Sequence, residues 1–178
     1  MNILFITTGG TIDKDYPRCA GTYNFEISNP AIACILKDIN PVFKYNIISI
    51  LKKDSLDMTD NDRKLIYDVC DSSENDKIII THGTDTIIKT AKKLSALKDK
   101  VIILTGASKP NKFRDSDAPF NIGVAIGAIN IIKNGVYICM NGVVYNWNEC
   151  KKDAYSGKFV SKSEWEIQHS SEVGGLHD

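Results

Sequence analysis

The chain has 178 residues, 43% hydrophobic and 25% charged, with Lys plus Arg and Asp plus Glu equal at 22 each. That length and composition suit one globular domain with a substantial core, and a neutral chain without a basic stripe gives no support to nucleic-acid binding. No apolar run approaches the roughly 20 residues that span a bilayer, and MNILFITTGG lacks the basic segment and cleavage site of a signal peptide, so a cytoplasmic chain is expected. The five cysteines (Cys19, Cys34, Cys70, Cys139, Cys150) are scattered, odd in number and form no C-x-x-C pair. They read as reduced thiols rather than a disulfide framework or a zinc site.

Taken in chain order, the first apolar run, 3–7, predicts a strand that opens onto ITTGGTID at 6–13. Asn29-Pro30 supplies a cap and a proline at the first helical position for AIACILKDI. The run 45–51 predicts a second strand, followed by KDSLDMTD. Thr59 with Asp62 three residues on resembles a capping box for a helix reaching about Ser73. The third strand, 77–81, runs into THGTDT at 81–86, and the helix from Asp85 to about Leu97 puts Ile88, Ala91, Leu94 and Ser95 on one face. A fourth strand, 101–105, leads through GASKPNKFRDSDAPF to a helix from Pro119 to about Lys133. That helix is apolar almost all round, which predicts deep burial. The fifth strand, 136–140, ends in MNG. Residues 162–178 are polar and glycine-containing and are expected to fray or pack late as a tail, which leaves 1–161 as the folded domain.

The Ile- and Val-rich runs lack polar alternation, as strands covered on both faces do. Alternation with helices predicts a three-layer α/β/α, doubly wound, mainly parallel sheet of flavodoxin-like or Rossmann-like type. Every polar cluster then falls at the carboxyl end of a strand, where such sheets bind ligands. Gly9-Gly10 permits a sharp turn and close approach to a ligand, leaving Thr11 projecting into the crevice. A threonine hydroxyl needs activation to act as a nucleophile; candidates are Tyr16 or Tyr23 in the following loop, and Asp85 with a lysine elsewhere. Thr84-Asp85, after a glycine and before a helix, offers backbone N–H groups to an anion. On spacing alone, GG is more readily a plain tight turn, and Thr84 or Asp85 more readily a plain N-cap. His82 reads as a structural histidine. Neither motif matches G-x-G-x-x-G or the P-loop, and no spacing argues for a metal, so no cofactor is expected.

TGGTI and THGTDT together resemble the two signature motifs of the L-asparaginase/glutaminase family. Ser55-Leu56-Asp57-Met58-Thr59 is similar to the family's S-x-D-M loop, and GASKP, SDAPFN and CMNG follow in the family's order, so the resemblance spans residues 1 to about 160. It implies hydrolysis of a side-chain amide through a threonine acyl-enzyme with release of ammonia; asparagine is the leading substrate, with glutamine or a related small amide as alternatives. By position the nucleophile is Thr11, assisted by Tyr16, with Tyr23 as the alternative. Thr84, Asp85 and Lys152 form the neighbouring triad, with Lys151 as the alternative lysine. Ser55 would hold the substrate α-carboxylate and Asp85 its α-ammonium, and backbone N–H groups at Thr11 and Thr84 the oxyanion. Gly10, Asp57, Gly83 and Ala107 complete the implied substrate-binding set.

The usual members are about twice as long and carry a second domain that completes a neighbouring subunit's site, which implies a homo-oligomer, a dimer or tetramer, acting on a small amino-acid amide. Leu56 stands where the larger enzymes usually offer a polar side chain, and NWNECKKD replaces the usual approach to the lysine. Two rival readings therefore stand beside the hydrolase: an amino-acid-binding or regulatory module without turnover, and an ammonia-supplying subunit of an amidotransferase.

Overall fold

Side chains along β1 (Asn2–Gly9) alternate between two apolar layers: Leu4 and Ile6 enter one, Ile3 and Phe5 the other. The same alternation continues in β5 (Lys77–Thr81), β6 (Val101–Thr105) and β7 (Gly135–Met140). This explains why these runs carry no polar partner residues: both faces are covered. The computed structural model describes residues 1–16 and 25–173.

With β4 (Lys44–Lys53) and β8 (Val143–Asn146) these strands form a six-stranded sheet in the order β4-β1-β5-β6-β7-β8. All neighbours are parallel except β7 and β8. Helices α2 (Asp60–Ser72) and α3 (Ile87–Leu94) cover one face; α1 (Ala31–Ile39) and α4 (Ala118–Ala128) cover the other. The result is the expected three-layer, mainly parallel α/β fold. β4 departs from the expectation of full burial, since none of its residues is buried; it lies at the sheet edge, and only Ile47, Ile48, Ile50 and Leu51 lean on the core.

The capping box on α2 is present: the Thr59 hydroxyl accepts from Asp62 N–H, and the Asp62 carboxylate accepts from Thr59 N–H at 2.7 Å. Lys53 Nζ adds bonds of 2.9 and 2.8 Å to the same carboxylate, and these contacts, Lys53 foremost, hold the Asp62 carboxyl down at about 2.

Two expectations need correction. Pro30, not Asn29, occupies the N-cap of α1, without a side-chain bond; Asp13 Oδ1 accepts the Ala31 N–H at 2.7 Å instead, a carboxylate drawn to the positive end of the helix. The helix after the fourth strand is not deeply buried. α4 packs Ala118, Asn121, Ile122 and Ala125 inward, while Phe120 and, beyond the helix end, Ile131 are 61% and 84% exposed, because the sheet covers only one side. The segment read as a polar tail begins with a helix, α5 (Lys162–Val173).

Asp13 is 4% exposed, and burial pushes its carboxyl up to about 6 from 3.8, against the opposing Ala31 bond and Lys52. A raised folded-state value means that the group's contribution is complete below about pH 3.8 and lost as pH rises through 6. The difference of roughly 2 units corresponds to about 3 kcal/mol. Asp13→Asn keeps an acceptor for Ala31 and removes the buried charge. Urea unfolding should find it more stable than the parent by about 1 to 3 kcal/mol near pH 7.5, and equal to it near pH 4. A gap that does not change with pH would contradict this assignment.

Candidate active site

The strand order, reduced to the parallel strands, runs second-first-third-fourth-fifth, so the chain reverses direction across the sheet between β1 and β5. Ligand crevices open at that point, beyond the carboxyl ends of the strands. TGGTI leaves β1 there and HGTD leaves β5 there.

The two loops touch through backbone. Gly10 has φ +87°, and a Cβ on it would lie 2.5 Å from Gly83 N; only glycine meets both demands. Gly83 in turn abuts Ser55, since a Cβ there would lie 2.7 Å from Ser55 Cβ and 2.8 Å from its Oγ. Gly10, Gly83 and Ser55 are therefore stacked, with Thr11 and Thr84 following directly after the first two. Thr11 starts a 3₁₀ turn (Thr11–Asp13) and is half-buried; its hydroxyl makes no hydrogen bond among the described residues.

Ser55 begins a second 3₁₀ turn (Ser55–Asp57) capped by Asp54, which accepts Leu56 N–H at 3.2 Å. Lys14, from a short strand β2 (Lys14–Asp15), reaches the same Asp54 at 2.7 Å, and this bond is the main cause that lowers the Asp54 carboxyl. Thr86 Oγ1 donates to Ser55 O at 2.7 Å. The first loop, the Ser55 loop and the second loop are thus tied together on all three sides. Ser55 Oγ itself is buried and has no partner among the described residues, a state that costs on the order of 1–3 kcal/mol unless something else satisfies it.

Lys152 arrives from far along the chain. Its Nζ donates to Thr84 Oγ1 at 2.9 Å and to Asp85 Oδ1 at 2.6 Å. It lies on β9 (Cys150–Lys152), paired antiparallel with β10 (Phe159–Ser161). Alternation along β9 sends its neighbour the other way, and Lys151 Nζ sits 3.0 Å from the centroid of the Trp165 ring. Two further contacts fix this hairpin and the loop beside it. Asn141 and Gly142 join β7 to β8 with φ of 55° and 83°, the two-residue turn for which N-G is the strongest short signal, and Asn141 Oδ1 accepts Phe159 N–H at 3.0 Å. The other is the Lys14–Asp54 pair, for which spacing carries no signal.

The N-cap of α3 is Thr86, so Thr84 and Asp85 are not helix caps. Asp85 is half-exposed, and only one of its oxygens is engaged by Lys152. Asp57 is exposed beside Leu56, which is 72% exposed. Ala107 is 1% exposed and belongs to the buried cluster covered by α1 and α4. Tyr16 is 65% exposed, its ring tilted on Phe25 at 4.9 Å, with Phe25 on Phe113 at 5.9 Å. Tyr23 and Cys19 lie outside the described residues.

His82 is fully buried. Its Nδ1 is 2.7 Å from Gly83 O, a pure acceptor, so Nδ1 carries the proton and Nε2 accepts from Thr90 Oγ1 at 2.8 Å. Burial holds it down at about 4, which makes it a neutral structural group. Cys70 and Cys139 are pushed up to about 12 and Cys150 to about 11 by burial; these thiols are unreactive.

Comparison with known proteins gives one consistent result. The family model for the asparaginase N-terminal domain matches residues 2–162. L-asparaginase 2 of Escherichia coli K12 is 31% identical over 166 residues, covering 85% of this chain and 46% of its own. A component of the glutamyl-tRNA(Gln) amidotransferase of Methanococcus vannielii is 33% identical over 153 residues, covering 80% of this chain and 35% of its own. The solved thermostable L-asparaginase from Thermococcus kodakarensis superposes with a TM-score of 0.78 at 26% identity, over 90% of this chain and 51% of that one. The chain spans about half the length of the asparaginase relatives it matches.

Proposed function

Because the chain belongs to the asparaginase family through that family's N-terminal domain, we propose that it is an amidohydrolase that cleaves the side-chain amide of L-asparagine, with glutamine or a related small amide as a lesser substrate. The observation that carries this reading is the reach of Lys152 to both Thr84 and Asp85, on a loop in backbone contact with the glycine that precedes Thr11.

In the proposed reaction Thr11 Oγ attacks the amide carbon, and the oxyanion rests on backbone N–H groups at Thr11 and Thr84. The C–N bond breaks as the threonine proton passes to the leaving nitrogen, releasing ammonia and leaving an acyl-threonine ester. Water attacks that ester, one of its protons returns to Thr11 Oγ, and the acid departs. Lys152 donates to Thr84 Oγ1, which frees the threonine's own O–H to point into the crevice. A loop tyrosine, Tyr16 or Tyr23, assists the deprotonation of Thr11. The unpaired Ser55 hydroxyl suits one oxygen of the substrate α-carboxylate, and the open oxygen of Asp85 suits its ammonium. The exposed side of the crevice at Asp85, Leu56 and Tyr16 suits cover by another chain, so a homo-oligomer is expected. No helix among the described residues is long and apolar enough to cross a membrane, and we place the protein in the cytoplasm.

Purified protein should release ammonia from asparagine faster than from glutamine. Binding of asparagine without ammonia release would instead favour a regulatory module. The likeness to an amidotransferase component supports one further reading, an ammonia-supplying subunit, which predicts turnover only in the presence of a partner protein.

A further inference from the structure

Helices α2 and α3 leave a groove between them on the face opposite α1 and α4. It has a volume of about 620 Å³ and is lined by Asp60, Arg63, Lys89, Lys92, Lys93 and Ala96. Four cations face it against one carboxylate, in a chain whose net charge is zero. The positive charge is therefore a local feature of this groove.

The lysines are spaced i, i+3 and i+4, which places all three on one turn of α3. The ammonium groups of Lys89 and Lys92 have no ion pair or hydrogen bond among the described residues, and that of Lys93 lies 5.9 Å from the centroid of the Tyr67 ring. Arg63 is the built part of the groove. Its side chain is 9% exposed. Nη1 donates to Met58 O at 3.0 Å and to Asp60 Oδ1 at 3.2 Å, while Nε is buried with no partner among the described residues. The one carboxylate, Asp60, projects fully into solvent and leaves the guanidinium undercompensated. A largely buried guanidinium with one unmet donor, beside two ammonium groups without partners among the described residues, is a concentration of positive charge that an anion would relieve.

We propose that this groove binds a small phosphate-bearing anion carrying two or more charges, of the pyrophosphate type. A tetrahedral phosphate accepts from several donors at once, and a second phosphate spans one helical turn of lysines. The lysines occupy a single turn rather than a stripe, which does not suit the length of a nucleic acid. The groove also communicates with the crevice: the Met58 carbonyl held by Arg63 belongs to the residue after the Ser55 turn, and the Met58 sulfur lies 3.1 Å from His82 Nε2.

Calorimetric titration of the purified protein with sodium pyrophosphate in phosphate-free, low-salt buffer tests this. Saturable binding in the sub-millimolar range is expected, weakened at least tenfold in the doubly reversed Lys89→Glu/Lys92→Glu variant. Asparagine hydrolysis without pyrophosphate should be the same in parent and variant. If the reversed variant does not fold, Lys89→Gln/Lys92→Gln replaces it, with about a fivefold loss expected. Absence of saturable binding at about 10 mM pyrophosphate, equal binding by the variants, or tighter binding of a duplex oligonucleotide would each overturn the assignment. Because the readout is binding, loss of the hydrolase reading alone would leave this result untouched.

Discussion

Thr11→Ala is expected to reduce amide hydrolysis on the order of 10⁴-fold, the scale at which removal of a hydroxyl nucleophile acts, while leaving the fold and its unfolding midpoint close to the parent's. Both halves of the expectation follow from the position of the residue. Thr11 is half-buried at the start of a short turn, with its hydroxyl making no hydrogen bond among the described residues, so its loss breaks no structural bond. The turn is fixed by other groups: Gly10 N–H donates to Lys53 O at 2.9 Å, Asn111 N–H donates to Ile12 O at 3.1 Å, and Asp13 anchors α1. Thr11→Ser keeps the hydroxyl and should keep measurable turnover. Ammonia release measured beside thermal unfolding separates chemistry from folding. Turnover by Thr11→Ala within tenfold of the parent would remove Thr11 from the role of nucleophile.

The core strands were legible in the sequence because burial on both faces leaves an uninterrupted signal: 77–81 and 101–105 coincide with β5 and β6. Edges were not. β4 reads as apolar as its neighbours, since Ile47, Ile48, Ile50 and Leu51 still lean on the core, and nothing local says that its other side is open. The same blindness misplaced α4, where an apolar composition predicts burial but only contacts across the sheet decide which side receives it. The cap of α1 was illegible for a different reason. Its acceptor, Asp13, comes from 18 residues upstream, beyond any local pattern.

In the crevice, the chain spacing made Gly10, Thr11, Gly83 and Thr84 visible as a pair of strand-end loops. Their direct contact depends on two glycine backbones meeting across the switch point, which a parallel order of β1 and β5 makes possible. The choice between Lys151 and Lys152 had no local signal, because adjacent residues in a strand are equivalent until a partner fixes which side faces the core. Pairing of Lys151 with Val160, and of Lys152 with Phe159, fixes which way each side chain points.

That geometry predicts opposite outcomes for the two lysines. Lys152→Met should lower kcat about 10²- to 10³-fold with a smaller change in KM, as expected where the lost interaction acts mainly in the transition state. The substitution leaves Thr84 Oγ1 and Asp85 Oδ1 without their shared donor, and Asp85, half-exposed, regains water rather than stranding a buried charge. The cost therefore falls on turnover more than on stability. Lys151→Met removes only a cation from the Trp165 ring, a contact worth about 0.5–1 kcal/mol at such a site, and should leave ammonia release within twofold of the parent. Thr84→Ala combined with Lys152→Met should lose little more than either alone, since both act through one hydrogen bond and neighbours in a network are not additive. Equal losses from the two lysine substitutions, or full additivity of the Thr84 and Lys152 effects, would show that the Lys152 contact seen across the crevice plays no part in the reaction.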